Sequence, residues 1–156
     1  MSRQISDLSE STAARRRWMA VLAKAAPAEL ERAWAELKPV PDYTRLRPAE
    51  TGLVMVRGRI SGSGRPFNLG EMTMTRAAVR LDRGATGFGH VAGRNTRHAE
   101  LAALFDALLQ DPERQDALIR SVIEPLAARA EAARTQKAAE VGATKVDFFT
   151  LVRGEN

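Results

Sequence analysis

Between Gly52 and Glu100 the chain gathers the residues best suited to hold an anionic oxygen ligand. Gly70-Glu71-Met72-Thr73-Met74-Thr75-Arg76 is followed by Gly93-Arg94, and of the two histidines His90 lies just before and His98 within the helix start Asn95-Thr96-Arg97-His98-Ala99-Glu100. Amides at a helix N-terminus, guanidinium groups and an imidazole together suit phosphate or phosphonate oxygens. Arg76 and Arg94 each follow a glycine-containing segment where backbone can approach a ligand, and arginine binds such oxygens bidentately. Their bland alternative is a solvated or ion-paired surface arginine, with Glu71 as an available partner for Arg76. His98 precedes Leu101 and Phe105 at helical spacing, which places it near a buried stripe. It reads either as an acid/base or phosphate hydrogen-bond donor, or as a satisfied structural histidine. Glu100 reads as an ordinary first-turn acid behind an Asn95 or Thr96 cap. If the strand is regular, Glu71, Thr73 and Thr75 face one way and Met72, Met74 and Arg76 the other.

Composition bounds these options. The chain has 156 residues, 44% of them hydrophobic, enough for one domain with a real core. Lys and Arg number 24 against 19 Asp and Glu, and the net charge of +5 favours acidic partners. Cysteine is absent, which excludes disulfides, thiolate metal sites and cysteine nucleophiles. Two histidines argue against a protein-only transition-metal site, and carboxylate-bound magnesium stays open. No stretch reaches the roughly 20 apolar residues of a membrane span, so no membrane association and a cytoplasmic location are expected.

The elements that must position these residues suggest an α+β fold. Residues 1–11 read as a flexible tail and 12–38 as a helical hairpin, with Thr12 as N-cap and Pro27 opening the second helix. Arg15, Arg16 and Arg17 read as a solvated helix face. Residues 43–94 read as an antiparallel sheet of about four strands, at Tyr43–Arg47, Leu53–Ile60, Phe67–Leu81 and Thr86–Ala92. The length of the third predicts a bulge near Gly70 or a helical turn from Thr75. Ser61-Gly62-Ser63-Gly64 reads as a hairpin turn rather than a phosphate loop, because no lysine-serine pair follows. Residues 95–142 read as helices, of which 127–141 bury little unless a neighbour covers them. In residues 143–156 the apolar Phe148, Phe149, Leu151 and Val152 predict a tail that docks, as a strand or across a partner.

Several pieces, taken in order, carry a family resemblance over nearly the whole chain. They are Arg17-Trp18-Met19, Pro27-Ala28-Glu29-Leu30, Ala49 to Val54, Thr73 to Arg80, Gly93-Arg94 with His98-Ala99-Glu100, Asp106-Ala107-Leu108, and Val146 to Thr150 with Val152-Arg153-Gly154. With these the chain resembles the G subunits of bacterial carbon-phosphorus lyase core complexes. The resemblance implies a role in organophosphonate catabolism, in an assembly of the alpha-D-ribose 1-methylphosphonate 5-triphosphate synthase type. It implies H, I and J partner subunits together with ABC-type ATP-binding subunits. In that assembly adenine is displaced from ATP by a phosphonate, giving a ribose 1-phosphonate 5-triphosphate. ATP and magnesium are then substrates of the complex, and S-adenosylmethionine with an iron-sulfur cluster belongs to a partner, so this chain is expected to carry no cofactor and not to be catalytic alone. Two roles follow for it. It is an assembly subunit, or it supplies Arg76 and Arg94 as anion-binding groups and His98 as an acid/base to the transfer. A basic nucleic-acid-binding protein is a weaker third reading, since no interleaved aromatics support the charge.

Overall fold

A computed structural model describes residues 2–82 and 84–143. Helices α1 (Ser2–Leu22) and α2 (Pro27–Glu36) form the expected hairpin, and no glycine or proline interrupts α1. The helix therefore runs through the segment read as a flexible tail, and Thr12 lies inside it rather than capping it. Strands β1 (Tyr43–Arg59), β2 (Pro66–Leu81) and β3 (Thr86–Ala92) follow, then α3 (Thr96–Leu108), α4 (Pro112–Leu118) and α5 (Glu124–Ala143). A stretch of π-helix at Ile119–Ile123 leads into α5, next to Pro125, whose missing N–H disrupts regular α-helical bonding there. The docking residues expected in the tail, Phe148, Phe149, Leu151 and Val152, lie outside the described residues.

The sheet is antiparallel with three strands in the order β1-β2-β3. The segments read as two strands at 43–47 and 53–60 are one, because β1 continues through Pro48. Proline lacks a ladder donor, and β1 tolerates it as an edge strand whose register shifts on either side of Arg47. A further shift at Val56/Arg57 sets Leu69 between the Gly70 and Asn68 pairings, which is the bulge expected near Gly70.

Helix α3 occupies the centre. All its residues from His98 to Leu108 except the part-exposed Glu100 are buried, against Trp18 and Leu22 of α1, Leu30 of α2, Val79 and Val91 of the sheet, and Ile123 and Leu126. Each such leucine contributes about 1.5–3 kcal/mol by leaving water. The helix lies directly on β3. A Cβ at Gly87 would stand 2.0 Å from the Ala103 carbonyl oxygen, and one at Gly89 would stand 2.0 Å from that of Ala99. Only glycine permits this contact, and Ala99, Ala103 and Ala107 present the matching small face at four-residue spacing.

Candidate functional site

The face of the sheet bearing Gly87, Gly89 and Val91 meets α3, so their cross-strand partners Val79, Ala77 and Thr75 are buried with them. Alternation sends Arg76, Arg80, Phe88 and His90 to the opposite face. Arg76 and His90 are direct cross-strand neighbours there. The expected split of the Glu71 to Arg76 segment is therefore realised. Arg76 donates from Nε to Glu50 Oε1 at 2.8 Å, and Arg47 bonds the same oxygen at 3.3 Å. The partner of Arg76 is thus Glu50 of β1, not Glu71. Arg94 follows Gly93, whose φ of 89° turns the chain into α3. Arg94 is exposed and has no ion pair among the described residues.

His98 points the other way. The Asn95 side chain caps α3 by accepting from the His98 amide at 2.9 Å, and the His98 imidazole is buried with Nε2 2.8 Å from the Leu22 carbonyl oxygen. A carbonyl only accepts, so Nε2 carries the proton and its donor is engaged in joining α3 to α1. The structure therefore brings Arg76 and His90 together and sets His98 on the far side of the sheet.

Glu100, on the next turn from the cap, is more than a dipole complement. It accepts from the Tyr43 hydroxyl at 2.9 Å and from Arg45 Nε at 2.6 Å, with Arg97 Nη1 3.6 Å away. Arg97 in turn forks onto both oxygens of Glu31 at 2.8 and 3.1 Å, and the hydrogen bond holds the Glu31 carboxyl below its ordinary range. This chain of charges joins α2, β1 and α3. Burial, and then the bond to Glu100, push the Tyr43 phenol above its ordinary value of 10.0. Folding thus favours the neutral phenol, and that stabilisation is complete below pH 10 and lost as pH rises through the raised value. Tyr43→Phe is expected to cost about 1 kcal/mol at neutral pH, and the gap between the two proteins' urea midpoints should narrow above pH 10. An unchanged gap would show that the phenol bond is not the cause.

A second polar centre was hidden in the apolar stripe of α3. Asp106 is fully buried, yet it accepts from Arg15 Nε and Nη2 at 3.1 and 2.7 Å, from the Trp18 indole at 2.9 Å and from the Phe88 amide at 2.9 Å. Arg15 also lies over the Phe88 ring, 5.8 Å from its centroid. Arg15 is thus not part of a merely solvated helix face; its partner lies across the core. Gln110, just past the end of α3, donates to the Thr86 carbonyl at 3.0 Å, so Asp106 and Gln110 occupy the outward backbone groups at this end of β3. One signal of Asp106 was available in the sequence: a carboxylate among Leu104, Phe105, Ala107 and Leu108 must be paired if it is buried.

A cavity of about 710 Å³ lies between the loop after α2 and the start of α4. Its polar lining includes Asp42, Asp82 and Asp111, and its Arg114 is paired with Asp111 at 3.5 Å. That charge is the wrong sign for a phosphonate or triphosphate. No helix among the described residues is long and apolar enough to cross a membrane.

Comparison with known proteins fits this chain into a group. The family described as "Phosphonate metabolism protein PhnG" matches residues 13–154. The chain belongs to the PhnG family. The match spans Arg15, Arg76, Arg94, His98 and Asp106, so every centre described above lies within the part shared with the PhnG family. A PhnG relative from Rhizobium meliloti (strain 1021), alpha-D-ribose 1-methylphosphonate 5-triphosphate synthase subunit PhnG, is 49% identical over 144 residues, covering 92% of each chain. Membership in the PhnG family makes this a protein of phosphonate metabolism.

Proposed function

We propose that the chain is an assembly subunit of a phosphonate-processing synthase, supporting the partner-catalysed displacement of adenine from ATP by a phosphonate. The partners are H, I and J subunits of a carbon-phosphorus lyase core complex, with ABC-type ATP-binding subunits. The observation that carries this reading is the state of the buried polar groups. Among the described residues these are Thr75, His98 and Asp106, and each is bonded within the fold, Thr75 to the Gly93 carbonyl at 2.7 Å. General acid/base work needs a group free to exchange its proton with a ligand, and the buried His98 and Asp106 are committed to holding helices together. The printed name of the Rhizobium relative, a subunit of such a synthase, supports the same reading.

One observation favours a direct role instead. Arg94 is exposed and unpaired among the described residues, and it stands where the chain turns into α3, so a partner could bring a phosphonate to it. The experiment is adenine release from ATP plus phosphonate by purified complexes carrying Arg76→Ala, Arg94→Ala or His98→Gln. Glutamine keeps a donor for the Leu22 carbonyl. Assembly and activity within about two-fold of wild type are expected for all three, whereas a loss of about 100-fold or more in an intact complex would establish the direct role.

A further inference from the structure

The hairpin of β1 and β2 is far longer than the strand that supports it. β3 pairs with β2 only from Met74 to Arg80, so residues 53–59 and 66–73 form a two-stranded arm reaching about 20–25 Å from the body. Between Thr51 and Met72 no residue with a described side chain is buried. Two strands alone are marginally stable in water. Yet Leu53-Val54-Met55-Val56 shows no polar alternation, which is the pattern of a strand covered on both faces. Leu53 is 63% exposed, Met55 51% and Leu69 66%.

Register tells which residues share a face. Directly paired residues point the same way, so Val54 and Val56 lie with Met72 and Gly70. The bulge at Leu69 reverses the parity of β2. A Cβ on Gly58 would touch the Phe67 ring at 3.7 Å and the Leu69 Cβ at 3.9 Å, which puts both side chains on the Val54 and Val56 face. The bulge thus assembles one apolar stripe, while Leu53 and Met55 occupy the other face beside Thr73 and Glu71. The tip is basic. It carries Arg57, Arg59 and Arg65, and no carboxylate occurs from Thr51 to Gly70. Arg59 donates to the Gly64 carbonyl at 3.0 Å and fixes the turn.

We propose that this arm inserts into a different protein chain, in a cleft apolar on both sides and lined with carboxylates where the tip enters. The proposal rests on the assembly reading only in requiring a partner subunit. A second copy of this chain is a poor occupant. Tip-to-tip contact sets three arginines against three, and antiparallel pairing of two β1 edges brings each tip to the Arg47-Glu50-Arg76 cluster, whose one carboxylate is already shared between two guanidinium groups. Partner insertion covers both faces, pairs the open edges of β1 and β2, and neutralises the tip.

Amide hydrogen exchange on the chain alone and in the complex purified with its partner subunits tests this. Exchange across residues 52–72 is expected to be fast in the isolated chain and at least about ten-fold slower in the complex. Leu53→Ser/Met55→Ser/Leu69→Ser should leave the thermal midpoint of the isolated chain unchanged and weaken association about 30-fold or more. Arg57→Glu/Arg65→Glu should weaken it in a salt-dependent way. Equal exchange in both states, or the triple serine variant assembling with wild-type affinity, overturns the proposal. Protection already present in the isolated chain also overturns it, by showing that a second copy or the chain's own C-terminal segment covers the arm. An assembled, arm-protected complex that releases no adenine would sink the proposed function and leave this inference standing.

Discussion

Replacing Asp106 with alanine is expected to lower stability by about 3 kcal/mol, at the lower end of the range for breaking a buried ion pair. The carboxylate is fully buried and binds Arg15, the Trp18 indole and the Phe88 amide together. The Arg15 side chain is 33% exposed, so water can recover part of its solvation. The Trp18 indole, in a residue 4% exposed, has less recourse, and an unsatisfied buried donor costs about 1–3 kcal/mol. For a chain of this length the thermal midpoint should fall by about 6–12 °C. Asp106→Asn keeps the shape and some acceptor capacity but loses the charge, so its midpoint should lie between wild type and alanine. An alanine variant melting within about 2 °C of wild type would mean the network is incidental to stability. Because α1, β3 and α3 meet at this one carboxylate, its loss should also loosen the sheet that carries the arm.

Gly89→Ala is expected to be comparably severe for a different reason. The new methyl would stand 2.0 Å from the Ala99 carbonyl oxygen and 2.9 Å from the Ala103 nitrogen, both backbone atoms of α3. No rotamer relieves a Cβ clash with backbone, so the helix must lift off the sheet. That disturbs Leu101, Leu104 and Phe105 together, and the cost should reach or exceed the upper end of the about 1–3 kcal/mol usual for overpacking. Gly87→Ala meets the same helix one turn on, and the double variant should not add simply, since one displacement of α3 relieves both. Gly52→Ala is the control, because nothing lies within 4 Å of its Cβ position. Urea midpoints of the variants would decide: Gly89→Ala as mild as Gly52→Ala means that α3 does not rest on β3 as closely as described.

Much of the scaffold was legible before folding. Leucines of α3 at helical spacing marked a buried helix, Pro27 marked the start of α2, and the length of β2 called for a bulge near Gly70 or a helical turn from Thr75, of which the fold has the bulge. The merged β1 was less legible, because Pro48 looks like a strand break until β1 is known to be an edge, where a missing donor costs no ladder bond. The Gly87 and Gly89 pair and the alanines facing it were visible as small residues. Their fit depends on how α3 crosses β3, which periodicity within one element does not specify.

The junction between Gly52 and Glu100 shows where that division falls. Sequence alone indicated that it would be basic, that Arg76 would oppose Glu71 if the strand were regular between them, and that His98 would lean toward the core, because alternation and helical spacing are local rules. It also fixed what chemistry is absent, since a chain without cysteine cannot ligate a cluster through thiolates. Tertiary structure decided the partners. Arg15 and Asp106 are 91 residues apart in sequence and Arg45 and Glu100 are 55, separations over which no local pattern reports contact. It also decided that β3 stops short of half of β2, leaving an apolar arm in solvent, because strand length is local while coverage depends on what folds beside it.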